Sequence, residues 1–139
     1  MAGLARGGWF GDVGLLGMRL FAGLSLAFAH GLGKVPPSER FIAGVGELGF
    51  PAPALFAWTA AGSELLGGLL LAAGLFTRPA SAMILVTMLV AGVGRHAEDA
   101  FKDKEKAFLY AAIALACLGL GAGRLGLDYL RGGRRRGGG

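Results

Sequence analysis

The chain has 139 residues, of which 54% are hydrophobic and only 17% charged, with a formal charge of +5. A soluble domain carries about a quarter charged residues, whereas here the charges gather in 34–47, 95–106 and 124–136, with nearly uncharged stretches between. This excludes an ordinary soluble domain, and it excludes nucleic acid as the partner of the excess charge. Arg131, Arg134, Arg135 and Arg136 follow an apolar segment and so answer an anionic lipid leaflet.

Four apolar segments read as transmembrane helices over 13–33, 54–76, 79–97 and 106–123. At about 1.5 Å per residue each crosses, or nearly crosses, an apolar layer of about 30 Å, the third and fourth being short. In the first, Ala27-Phe28-Ala29 has the form of a signal-peptidase site. Arg19 comes too late to close a charged leading region, so the segment is read as a retained span. Pro36-Pro37 ends that helix. Ser38 then stands as an N-cap before Glu39, Arg40, Phe41, Ile42, Val45 and Leu48, the pattern of a short interfacial helix. Pro51 and Pro53 restart the chain, and Trp58 sits where an aromatic anchors a span at the interface.

Thr77-Arg78-Pro79 reads as the turn of an antiparallel hairpin, and 96–106 as a mixed-charge loop. Gly119-x-x-x-Gly123 reads as a close-packing face, since no strand, Lys or Thr makes it a phosphate loop. Cys117 is the one cysteine, which rules out an internal disulfide or a CxxC pair and suggests a buried, inert thiol. The expected fold is therefore all-α. It is a single domain over 1–128, a polytopic four-helix membrane bundle with a short interfacial helix between spans one and two. A disordered Gly/Arg-rich tail follows over 129–139. Lys and Arg are almost balanced between the two sides, and the terminal Arg cluster places both termini in the cytoplasm.

Arg19 and Glu64 are the informative residues, because a charge inside a bilayer costs several kcal/mol by roughly any insertion scale and normally finds a partner. The expectation is an intramembrane Arg19–Glu64 pair. The small residues Ala57, Ala60, Ala61, Gly67 and Gly68 would let a second helix approach the face of Glu64. Two readings stay open: an ion pair that fixes helix register, or a Glu64 that accepts protons or binds a polar head. His30 returns to the face of Arg19 eleven residues on, and the topology places His30, Lys34 and His96 on an outer-side polar rim. No metal-binding spacing is present, so no metal site is expected. No catalytic residue can be named, and whether the chain is an enzyme stays open.

These residues resemble those of the DoxX family of small bacterial four-helix membrane proteins over about 15–128. The similarity lies in Arg19 with Phe21-Ala22-Gly23 and in His30-Gly31-Leu32-Gly33-Lys34. It is most specific in the run from Glu64 through Gly67-Gly68, Gly74-Leu75 and Thr77-Arg78, and continues with Met88, Ala91, His96 and Glu105. The ending Gly121-Ala122-Gly123-Arg124-Leu125-Gly126-Leu127-Asp128 is similar to a G-x-G…S-L-D pattern, with Gly126 in place of Ser and Ala122 in place of Pro. The resemblance implies a protein of the bacterial cytoplasmic membrane that serves as a membrane subunit of a quinone-linked redox or sulfur and oxidative-stress system. Quinone would be the cofactor, and the partners the lipid bilayer and either a protein or a second copy. The alternatives are a non-catalytic scaffold recruiting partner proteins and a bundle binding a small solute or lipid.

Overall fold

The computed structural model describes residues 8–136. Arg6 and residues 137–139 of the expected tail lie outside them. The described chain is helical, without a strand. It forms α1 (Trp9–Lys34), α2 (Glu39–Glu47), α3 (Pro53–Ala73), α4 (Thr77–Arg95), α5 (Phe101–Leu120) and α6 (Leu127–Arg136).

Three of these, α1, α3 and α4, are long and apolar enough to cross a membrane. The fourth expected span differs. Helix α5 starts at Phe101, five residues before 106, and its first turns carry Lys102, Asp103, Lys104, Glu105 and Lys106. Only Ala107 to Leu120 is apolar, about 20 Å of helix.

The breaks follow from local chemistry. Ser38 Oγ accepts from Phe41 N at 3.2 Å, as its N-cap position implied, and starts α2. Gly49, at φ +87°, ends it. Pro53 opens α3 in the first turn, where the missing N–H costs nothing. At the other end Gly74, at φ +68°, is the left-handed residue of a Schellman finish, with Gly74 N donating to Leu71 O and Leu75 N to Leu70 O.

The hairpin turn is therefore Gly74 to Phe76. Thr77-Arg78-Pro79, expected as the turn, is instead the first turn of α4, where proline is tolerated. Helix α6 is a second correction: the chain is helical through Arg136, where a tail without structure was expected from 129. Its first turn holds Asp128 in tertiary hydrogen bonds, a constraint that composition does not register.

Helices α1 and α3 run antiparallel at backbone contact. A Cβ on Gly23 would lie 2.4 Å from Gly68 O and 2.7 Å from Ala72 N, and one on Gly31 would lie 2.4 Å from Leu65 N. The small-residue face of α3 is thus used, by Gly68 against α1 and by Gly67 against Ile84 of α4. A Cβ on Gly119 would meet nothing within 4 Å, and Gly123 is a left-handed turn residue against Leu15, so the Gly119/Gly123 pair is not a packing face. The core is Leu26, Leu71, Ile84, Met88, Ala111, Ala114 and the buried free thiol of Cys117.

Candidate functional site

Arg19 and Glu64 do not pair. Arg19 is fully buried, and its guanidinium donates at 3.1 Å to three carbonyls, Leu71 O and Ala72 O at the end of α3 and Leu125 O in the turn before α6. The last carbonyls of a helix lack intrahelical donors and carry the negative end of its dipole, so a cation is stabilised there without a carboxylate. The cradle is tight. A Cβ on Gly74 would meet Arg19 Nη1 at 2.4 Å and Gly126 Cα at 2.7 Å, and one on Gly126 would meet the Ala122 side chain. That crowding leaves no room for a side chain at Gly74 or Gly126.

Asp128 completes that end. Its two carboxylate oxygens accept from Phe76 N and Thr77 N, both at 2.8 Å, while its own N–H donates to Gly74 O at 2.8 Å. Asp128 is thus the N-cap of α4 supplied from 51 residues away. Burial pushes the Asp128 carboxyl up, but the hydrogen bonds from Thr77 and Phe76 and the nearby Arg131 outweigh it and hold it below 3.8. A second tie joins Asp12 of α1 to the backbone N–H and guanidinium of Arg124.

Glu64 sits seven residues before Leu71, about 10 Å along α3. It is buried, and both its oxygens accept from Lys34 Nζ at 2.9 Å. The pairing follows from the helix register. Gly31 touches α3 at Glu64 and Leu65, so Lys34, one turn further along, hangs over the carboxylate. Its ammonium also lies 5.7 Å from the centre of the Phe41 ring of α2.

Around this pair lies a cavity of about 150 Å³. His30 and Lys34 enter it from α1, Glu64 from α3 and His96 from the end of α4. Asp103, Lys106 and Tyr110 enter from α5, and Leu26, Met88, Ala91 and Ala107 supply the apolar wall. The His30 and Tyr110 rings meet edge-on, 5.8 Å between centres, and His96 Nδ1 bonds Asp99 at the rim.

The backbone is unusual here. Each of the three long apolar helices widens to π geometry, over Ser25–Gly31, Ser63–Gly67 and Val90–Arg95. Each of those segments contributes to the cavity wall, through Leu26 and His30, Glu64, and Ala91. A π turn costs hydrogen-bond geometry and is found frequently at functional sites.

A model of the DoxX family matches residues 14–97, more than half of the chain. The chain belongs to the DoxX family. No curated protein and no solved structure matches it. The matched range of the DoxX model covers Arg19, His30, Lys34, Glu64 and His96, and ends before α5.

Four of the five residues singled out from sequence, His30, Lys34, Glu64 and His96, thus line one cavity of this DoxX chain. The fifth, Arg19, belongs to the knot at the opposite end. Sequence reasoning missed Asp103, Lys106 and Tyr110. The signal is present, since spacings of three and seven put them on one face of a helix, but the density of charge over 96–106 gives that stretch the pattern of a loop. It also missed Asp128, whose capping role spans 51 residues and has no local signature. No group of three or more potential metal ligands occurs among the described residues.

Proposed function

We propose that this chain is a four-span membrane bundle of the bacterial cytoplasmic membrane, with both termini cytoplasmic, that binds a quinone headgroup in the Glu64 cavity. In that role it is the membrane subunit of a quinone-linked redox system, with α5 as the fourth span and α2 lying at the membrane surface. The observation that carries the reading is the convergence of three π-widened helices on one partly polar cavity.

Size and chemistry support it. A cavity of about 150 Å³ holds a six-membered ring. Leu26 and Met88 offer apolar contact for the ring faces, while Tyr110, His30 and Lys34 offer donors to carbonyl oxygens. A bound quinone would supply two-electron, two-proton redox chemistry. Glu64 and His30 are placed to hand on the protons, with His96, Asp99 and Asp103 leading toward the rim. A single cysteine leaves no dithiol in the chain, so the reading puts the reductant on a protein partner.

The same cavity suits a small polar solute or a lipid headgroup, favoured by the charged rim residues Asp103 and Lys106. A scaffold role without a ligand requires the cavity to be idle. Native mass spectrometry of protein gently extracted from membranes separates these readings. Retained quinone that is lost in Glu64→Gln and reduced in Tyr110→Phe supports the quinone site. A retained polar lipid or solute instead transfers the cavity to the second reading, and a chain carrying only a protein partner supports the scaffold.

A further inference from the structure

The end of the molecule that holds Arg19 carries a surface the cavity does not explain. Helix α6 follows α5 through the Gly121 to Gly126 turn, and its first residues Leu127, Tyr129 and Leu130 are all exposed. At the same end Trp9 and Phe10 open α1, and Phe76 projects from the α3–α4 turn, all three exposed. Arg131 stands among them. The Arg131 guanidinium lies 4.8 Å from the centre of the Phe76 ring, and Arg134, Arg135 and Arg136 follow in the helix.

The charge on this surface is one-sided. Asp128 is the only acid of α6, and both its oxygens are engaged by Phe76 N and Thr77 N. Arg124 is paired with Asp12, and Arg78 donates to Gly119 O at the end of α5. Among the described side chains of α6, none therefore balances Arg131, and the sequence adds three more arginines after it. Exposed aromatic and leucine side chains beside cations at the end of apolar helices match the interfacial layer of a membrane with anionic headgroups. A nucleic acid or an acidic protein surface would use the cations and leave the leucines in water.

We propose that α6 is an interfacial helix that binds anionic phospholipid headgroups, and that Asp128 transmits this binding to the fold by capping α4. The coupling is physical. The residue that holds α6 in place is the one that satisfies the first N–H groups of α4 and, through Gly74 O, closes the turn over Arg19. Lipid that fixes α6 in the interface holds that cap in place, and loss of the cap separates lipid binding from stability.

The test uses the full chain in nanodiscs of phosphatidylcholine, alone or with about 30 mol % phosphatidylglycerol, read by thermal unfolding and by native mass spectrometry of retained lipid. The wild type should unfold several degrees higher with the anionic lipid, and the increment should shrink in roughly 0.5 M salt. The variant Arg131→Gln/Arg134→Gln/Arg135→Gln/Arg136→Gln should fall below wild type in phosphatidylcholine only by what the Arg131 contacts with Phe76 and Asp128 contribute, lose the increment, and retain at least about tenfold less phosphatidylglycerol. Asp128→Asn should still retain the lipid and lose the increment.

An increment that survives in the four-arginine variant, or none in the wild type, overturns the proposal. An increment that survives in Asp128→Asn overturns the coupling. Co-sedimentation with RNA that phosphatidylglycerol vesicles do not compete away overturns the choice of ligand. None of these outcomes depends on the Glu64 cavity, whose own test is quinone retention.

Discussion

Replacing Arg19 by methionine keeps most of the apolar stem, removes the guanidinium and takes its hydrogen bonds from three carbonyls. Leu71 O keeps the N–H of Gly74, while Ala72 O and Leu125 O depend on Arg19 among side-chain donors. Hydrogen bonds to a charged group contribute about 1.5–3 kcal/mol each, and a stranded buried acceptor costs about 1–3 kcal/mol. Relief of burying an unpaired cation offsets part of that, so the expected loss is roughly 3–5 kcal/mol. Arg19→Lys keeps the charge but cannot span three carbonyls on two segments, and should recover less than about half of it.

The sharper test is the cycle with Glu64→Gln. A direct Arg19–Glu64 pair predicts a coupling of a few kcal/mol. Separation along α3 by about 10 Å, with no shared partner, predicts additivity within about 0.5 kcal/mol. Reversible unfolding in mixed micelles or nanodiscs measures all four proteins. A coupling above about 1.5 kcal/mol, or an Arg19→Met variant within 1 kcal/mol of wild type (about the value of one ordinary bond), would refute the account of the knot.

Further expectations follow from the other contacts. Lys34→Met strands the Glu64 carboxylate, only 3% exposed, and should cost about 3–5 kcal/mol. Glu64→Gln leaves a Lys34 side chain that is 38% exposed and can turn to water, so about 1–2 kcal/mol is expected. Equal costs in unfolding titrations would contradict the geometry. Gly23→Ala must push α1 and α3 apart at backbone contact and should lose about 1–3 kcal/mol, whereas Gly33→Ala, with open space around its Cβ, should be near neutral. Reversed effects in thermal unfolding would mean that the helices cross elsewhere.

The Asp128 carboxyl is held below 3.8, so its contribution is complete above the unfolded value and declines as pH falls from there through the lower folded value. Wild type should therefore lose stability relative to Asp128→Asn below about pH 4, and parallel acid profiles would remove the cap from the account.

The helical class and most boundaries could be read from apolar runs and prolines, because Pro36-Pro37, Ser38 and Pro53 act on the backbone beside them. Glu64, His30, Lys34 and His96 stood out because a polar group within or beside an apolar helix needs a reason. What they bond to could not be read. Arg19 and Glu64 had depths close enough to suggest a pair, yet an arginine can be satisfied by helix-end carbonyls that every sequence supplies. The register of α1 on α3, set by Gly23, Gly31 and Gly68, decides that Lys34 and not Arg19 meets Glu64. The π segments have no sequence pattern comparable to a cap or a proline, and they turn separate polar residues into a shared cavity. The Gly/Arg composition of the tail concealed α6 for a related reason, since its first turn is fixed by Asp128 contacts remote in sequence.

The central claim, that the Glu64 cavity receives a quinone headgroup, is tested most directly by photolabelling the full protein in nanodiscs with a short-chain azido-quinone. The adducts would be mapped by peptide mass spectrometry. The account predicts labelling on peptides containing His30 and Tyr110, competed by unlabelled quinone and lost in Glu64→Gln. Labelling confined to the apolar groove that Leu66, Phe76 and Met83 line between α3 and α4, or labelling unchanged in Glu64→Gln, would contradict it.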